Sequence, residues 1–142
     1  MTYVSGLLLS AILAALSALH VYWASGGKWG SSVTVPTKAG KRPFNPGPVS
    51  TLAVAAALLA AMFTILGRLG ILGDMLPQWL FHLGSWAICV VFLARAVGDL
   101  NLIGFFKTTR GTPFARWDTW VYSPLCLLIS AMAFVVARKG PL

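Results

Sequence analysis

The chain has 142 residues, of which 58% are hydrophobic and only 10% are Asp, Glu, Lys or Arg, where a soluble domain carries about 25% charged residues. Too little polar surface is available to cover a soluble core, and the apolar runs reach the ~20 residues that cross a bilayer, so composition excludes an ordinary soluble protein. The net charge of +8, from eleven Lys and Arg against Asp74, Asp99 and Asp118, would point to nucleic acid in a soluble chain. Here the bases fall mostly between apolar runs, where they orient helices and meet anionic lipid headgroups, and no nucleic-acid partner is expected.

In chain order, a first span is expected over about 3–24. Its start lacks the basic stretch of a signal peptide and its apolar run is too long for one, so it reads as a retained span. The connection 25–48 is rich in Gly and Pro, and Pro36, Pro43, Pro46 and Pro48 forbid a continuous helix. Short extended pieces such as "SSVTV" fit there. Its "SGGKWGSS" lacks the spacing of a phosphate-binding loop and follows a lipid span, not a strand. A second span covers about 49–71, and the short "GRLGILGD" makes it an antiparallel neighbour of the third, about 76–97. The connection 98–118 mixes Gly, aromatics and bases, with "LIGFF" placed to dip into the interface, and the fourth span covers about 119–137. In lipid the backbone must satisfy itself, and no ~10-residue alternating segments signal a barrel, so the expected fold is all-α. It is a four-helix transmembrane bundle forming one membrane domain over 1–142.

Charge assigns the sides. Lys28, Lys38, Lys41 and Arg42 lie in the first long loop and Lys107, Arg110 and Arg116 in the third connection, against Arg68, Arg138 and Lys139 opposite. The positive-inside rule then puts both long loops in the cytoplasm and both termini outside a multi-pass inner (plasma) membrane protein. Trp23, Trp117 and Trp120 mark one interface, Tyr3 and Trp79 the other. Small residues recur every fourth position at Gly6, Ser10, Ala14 and Ala18 and at Ala53, Ala57 and Ala61, stripes that seat one helix on another or support a homo-oligomer. Cys89 and Cys126 fall inside apolar runs and read as packers.

Counting along the spans brings the rare polar residues to one leaflet. His20, Tyr22 and Trp23 end span one, Arg95 and Asp99 end span three, and Asp118 and Tyr122 begin span four; the opposite leaflet receives Asp74, Gln78 and His82. Arg95 and Asp99, four apart, share a helix face, and so do His20 and Trp23, three apart. Asp118, just before the apolar run, is placed to cap its helix and to sit on the positive end of the dipole. Ionisable groups at membrane depth are functional candidates, so Arg95 is either a clamp for Asp99 or Asp118 or part of a site.

Two cofactor ideas are tested by spacing. His20 and His82 differ in depth by roughly 15–20 Å, too far apart for one bis-histidine haem. No HxxxH, HExxH or cysteine cluster marks a metal site, and a set of His20, Asp99 and Asp118 has no motif behind it, so no metal is expected and the cofactor stays unknown. Proton-transfer chemistry has candidates in His20, Asp99 and Asp118, with Tyr122 beside them. Arg95, Lys107, Arg110 and Arg116 are able to hold a phosphate or carboxylate, although Lys107, Arg110 and Arg116 are explained by topology alone.

The stretches "LHVYWASGGKWG" and "GFFKTTRGTPFARWDTWVYSPLCLL" resemble a family of small bacterial four-span membrane proteins catalogued as a domain of unknown function. The resemblance covers nearly the whole chain and implies a four-helix integral membrane protein, but no activity. Its motifs fall on His20, Tyr22, Trp23, Arg116, Trp117, Asp118 and Tyr122. The expected function is binding of an amphipathic or anionic small molecule, a lipid among them, in a polar pocket at the cytoplasmic ends of spans one, three and four. Expected ligand contacts are His20, Tyr22, Trp23, Arg95, Asp99, Arg116, Asp118 and Tyr122. The alternatives are a membrane enzyme working on a lipid-like substrate and a structural subunit of a membrane complex.

Overall fold

The computed structural model describes residues 1–36, 38–43, 45–73 and 75–138. Asp74 and Lys139, counted above as charges of the opposite side, lie outside them. Four helices are long and apolar enough to cross a membrane. They are α1 (Thr2–Ala24), α3 (Pro48–Arg68), α4 (Gln78–Val97), and a fourth span running Pro113–Ala137. The fourth is composite: α5 (Pro113–Trp117), a π-helical turn (Asp118–Tyr122) and α6 (Ser123–Ala137). The first loop adds the single turn α2 (Ser31–Thr34).

The spans form a ring in which successive helices are neighbours. α1 packs on α3 and α6, and α4 packs on α3 and α6. Leu9 and Leu13 of α1, Leu58 and Ile65 of α3, Ile88 of α4 and Ile129 of α6 fill the axis. Between lipid-solvated helices apolar burial drives little, so packing and interhelical hydrogen bonds select the seams. Ser17 Oγ donates to Ala55 O across α1 and α3 at 2.8 Å, and Ser130 Oγ donates to Cys89 O across α6 and α4 at 2.8 Å.

That choice of seam corrects the small-residue expectation. Gly6 and Ser10 are buried, but Ala18, Ala53 and Ala57 are exposed, and α3 presents Ala55, Leu58 and Ile65 instead. The Ser17 bond turns α3 by its Ala55 face and leaves the alanine stripe outward. "SSVTV" is corrected too, since Ser31–Thr34 is helical. The extended pairing falls later, where Lys38 and Lys41 exchange backbone hydrogen bonds of 2.8 and 3.0 Å around Ala39 and Gly40. Both central residues have positive φ, the geometry of a two-residue hairpin turn.

The largest difference lies at the start of the fourth span. Asp118 does not cap it. Thr112 does, with Oγ1 accepting from Ala115 N–H at 3.0 Å, and Pro113 follows in the first turn, where a missing N–H costs nothing. Asp118 therefore sits more than a turn inside the helix, where the Ser123 N–H reaches back five residues to its carbonyl. This widened turn lies directly ahead of Pro124, which lacks an N–H and crowds the carbonyl four residues before it.

Candidate functional site

A carboxylate held inside a membrane helix needs partners, and Asp118, fully buried, has three. Its Oδ1 accepts from Arg95 Nη2 at 2.8 Å. Its Oδ2 accepts from Lys107 Nζ at 2.9 Å and from the Gly104 N–H at 2.7 Å. Lys107, only 2% exposed in its side chain, spends its other two protons on Gly104 O at 2.9 Å and Thr119 Oγ1 at 2.6 Å. An ammonium has three donors, so this one is saturated. Arg95 Nη1 is buried without a hydrogen-bond partner.

The loop after α4 delivers Gly104 and Lys107 to that carboxylate by a pinch at its base. Gly98 and Gly104 both have positive φ, and their backbones touch so closely that a Cβ on either would strike the other strand of the loop. The Phe105 N–H closes the pinch on Ala96 O at 2.9 Å. Asp99 does not pair with Arg95, its neighbour one turn away. Its Oδ1 accepts instead from the N–H groups of Asn101, Leu102 and Ile103 at 2.9, 2.7 and 3.0 Å. These bonds, that of Ile103 foremost, hold the exposed Asp99 carboxyl below the ordinary 3.8, outweighing the opposing effect of burial.

A second polar region lies at the same end of the bundle. A cavity of about 380 Å³ opens between the end of α1, the first loop and the start of α3. His20, Arg42 and Asn45 line it, with Trp23, Val35 and Val54 as its apolar wall and four hydroxyls, those of Ser31, Thr34, Ser50 and Thr51, completing it. No carboxylate is among the described residues that line it. The ion pairs among the described residues are Arg95–Asp118 and Lys107–Asp118, so none engages Arg42. His20 Nδ1 lies 2.7 Å from Leu16 O, and since a carbonyl only accepts, Nδ1 carries the hydrogen. The His20 ring meets Trp23 edge-on at 5.2 Å, the contact their spacing predicts.

The expected single pocket at spans one, three and four is thus two places. Arg95 and Asp118 come together, joined by Lys107, which topology alone had explained. His20 and Trp23 belong to the cavity, which takes its walls from spans one and two and none from α4 or α6. His20, Asp99 and Asp118 do not converge, and no group of three or more His, Cys, Asp or Glu forms among the described residues. Tyr22 is exposed and packs beside Gly27, and its hydroxyl lies 3.4 Å from the Trp29 N–H. Arg116 is exposed. Tyr122 stacks on Trp117 and donates from its hydroxyl to Val33 O at 3.2 Å, the bond that ties the fourth span to the cavity's loop. His82 lies at the other end, beside Trp79 and Gln78 at a cavity of about 240 Å³. Sequence reasoning missed Arg42, Asn45, Ser50 and Thr51 as site residues; the signal was their clustering around Pro46 and Pro48, where a loop stiffened by proline meets a helix start.

Fold and geometry define a multi-pass membrane protein, a four-helix bundle whose polar groups gather at one end around a buried charge cluster and an open cavity. Residues 13–133 match the family described as a protein of unknown function (DUF3995), and the chain belongs to that family. No curated protein matches the chain, and no solved structure does.

Proposed function

We propose that the protein binds an anionic amphiphile, in the first instance a membrane lipid, in the cavity between His20 and Arg42, and that the two basic loops face the cytoplasm from a bacterial inner membrane. One observation carries the reading: a cavity of about 380 Å³, within the ~300–1,000 Å³ range of small-ligand sites, is lined by an arginine and, among the described residues, by no acid. A guanidinium facing such a space recruits a phosphate or carboxylate with paired hydrogen bonds. Trp23, Val35 and Val54 give the same space an apolar side, so a ligand with a charged head and a hydrocarbon portion meets both of its requirements. The Asp118 cluster serves this reading as scaffold. Its lysine has all three donors engaged and its carboxylate is fully buried, and of the acid–base candidates only His20 lines the cavity.

Native mass spectrometry of the full chain, released from detergent with its co-purified lipid, tests the proposal. The wild type should carry one anionic lipid adduct and Arg42→Gln should lose it. An adduct of equal occupancy in both proteins, or none in the wild type even after anionic lipid is added, would refute it.

A further inference from the structure

The hydroxyl hydrogens on the cavity wall narrow the chemistry of the headgroup. Ser31 Oγ donates to Lys28 O at 2.8 Å and Thr34 Oγ1 to Ser31 O at 3.2 Å. Ser50 Oγ and Thr51 Oγ1 both donate to Gly47 O, at 2.9 and 3.0 Å. Backbone carbonyls only accept, so all four hydroxyl protons are committed and each oxygen turns only lone pairs to the ligand. The His20 ring has Nδ1 spent on Leu16 O, so Nε2 is the ring atom left to a ligand. The wall therefore sets one cationic side chain, Arg42, beside four hydroxyl acceptors.

A bare phosphate monoester suits the hydroxyl side of this wall poorly, since its oxygens would meet lone pairs at Ser31, Thr34, Ser50 and Thr51. A choline head has no N–H to donate. An ethanolamine ammonium would donate, but it would enter beside a guanidinium with no carboxylate to balance it. What satisfies both halves is an anion that carries its own hydroxyl donors. We infer that the cavity recognises a polyol phosphate headgroup, a glycerol phosphodiester being the simplest, with its phosphate on the Arg42 guanidinium and its hydroxyls donating to the oxygens of Ser31, Thr34, Ser50 and Thr51. This rests on the anion site proposed above and adds the choice among anions.

Isothermal titration of the full chain in detergent reads that choice. The probes are dihexanoyl phosphatidylglycerol, phosphatidic acid and phosphatidylethanolamine, with glycerol phosphate and inorganic phosphate as free anions. Phosphatidylglycerol should bind about tenfold more tightly than phosphatidic acid, the worth of one or two neutral hydrogen bonds. The double variant Ser50→Ala, Thr51→Val should erase that preference, so that phosphatidylglycerol and phosphatidic acid bind the variant with equal affinity. Arg42→Gln should weaken both anionic lipids together. Glycerol phosphate binding as tightly as the lipid would keep the polyol phosphate chemistry and assign it a soluble source. Equal affinity for the two anionic lipids, unchanged in the double variant, would overturn the headgroup assignment and leave the anion site standing. A preference for phosphatidylethanolamine would also overturn it. No binding of any anion would remove both the assignment and the site.

Discussion

Two polar regions occupy the same end of this bundle and solve opposite problems. Around Asp118 a buried carboxylate is matched by two cations and a backbone N–H, and the ammonium among them has no donor left over. Around the open cavity Arg42 has no ion pair among the described residues, and the neighbouring hydroxyls of Ser50 and Thr51 spend their protons on Gly47 O. The first arrangement holds a loop onto a helix. The second, on the function proposed above, leaves its valences to a ligand. Depth in the membrane alone does not separate structural from binding charges; what separates them is whether the partners are already present.

The sharpest way to break the contrast is to remove the carboxylate. Asp118→Asn leaves the buried Lys107 and the partly exposed Arg95 without a counter-charge and should cost roughly 3–5 kcal/mol, read as a large fall in melting temperature in detergent. Lys107→Met should cost less, because Arg95 and the Gly104 N–H still serve Asp118. Near-wild-type melting of Asp118→Asn would show that the cluster is not the clamp its geometry describes. Arg42→Gln should do the reverse. An exposed side chain with no ion pair among the described residues changes stability by no more than about 0.5 kcal/mol. Losing a charge-assisted hydrogen bond of ~1.5–3 kcal/mol should weaken anionic lipid about ten- to a hundredfold by titration calorimetry. If both variants moved stability and binding in proportion, the two regions would be one.

Much of this was legible in the chain before its fold. Apolar length located all four spans, and three of them begin and end within a few residues of expectation. The fourth began early because hydropathy falls across Phe114–Asp118 while helix signals do not. Thr112 followed by Pro113 is a cap with its first-turn proline, and a reading by hydropathy passes over it. That His20, Arg95 and Asp118 lie toward one end of the bundle followed from residue counting, since rise per residue is constant. Azimuth did not follow. Which neighbour a helix face meets depends on seams such as Ser17 on Ala55, and one such seam sets His20 toward α3 and away from Asp118. Lys107 looked like a loop charge because nothing local announces that Gly98 and Gly104, six residues apart, will pinch the loop back onto the helix.

The loop that carries Lys107 supplies two smaller tests. Thr112→Ala deletes the side-chain cap of the fourth span and should cost about 1 kcal/mol, a modest drop in melting temperature against the collapse expected of Asp118→Asn. No change would mean that water or a headgroup caps α5 equally well.

Asp99 gives the smallest effect and the one with a definite sign in pH. Its carboxylate gathers the Asn101, Leu102 and Ile103 N–H groups and titrates below the ordinary 3.8 when folded. In the window between the two values the unfolded chain binds more protons than the folded one, so stability rises with pH there. The contribution is complete above the unfolded value and is lost as pH falls through the folded one. The comparison to make is the melting temperature of wild type minus that of Asp99→Ala, which cancels the titration of other carboxylates common to both. That gap should be open at neutral pH and close below about 3.8. A gap that stayed constant into acid would assign the loop's order to its glycines and backbone bonds, and leave the Asp99 charge without a part in it.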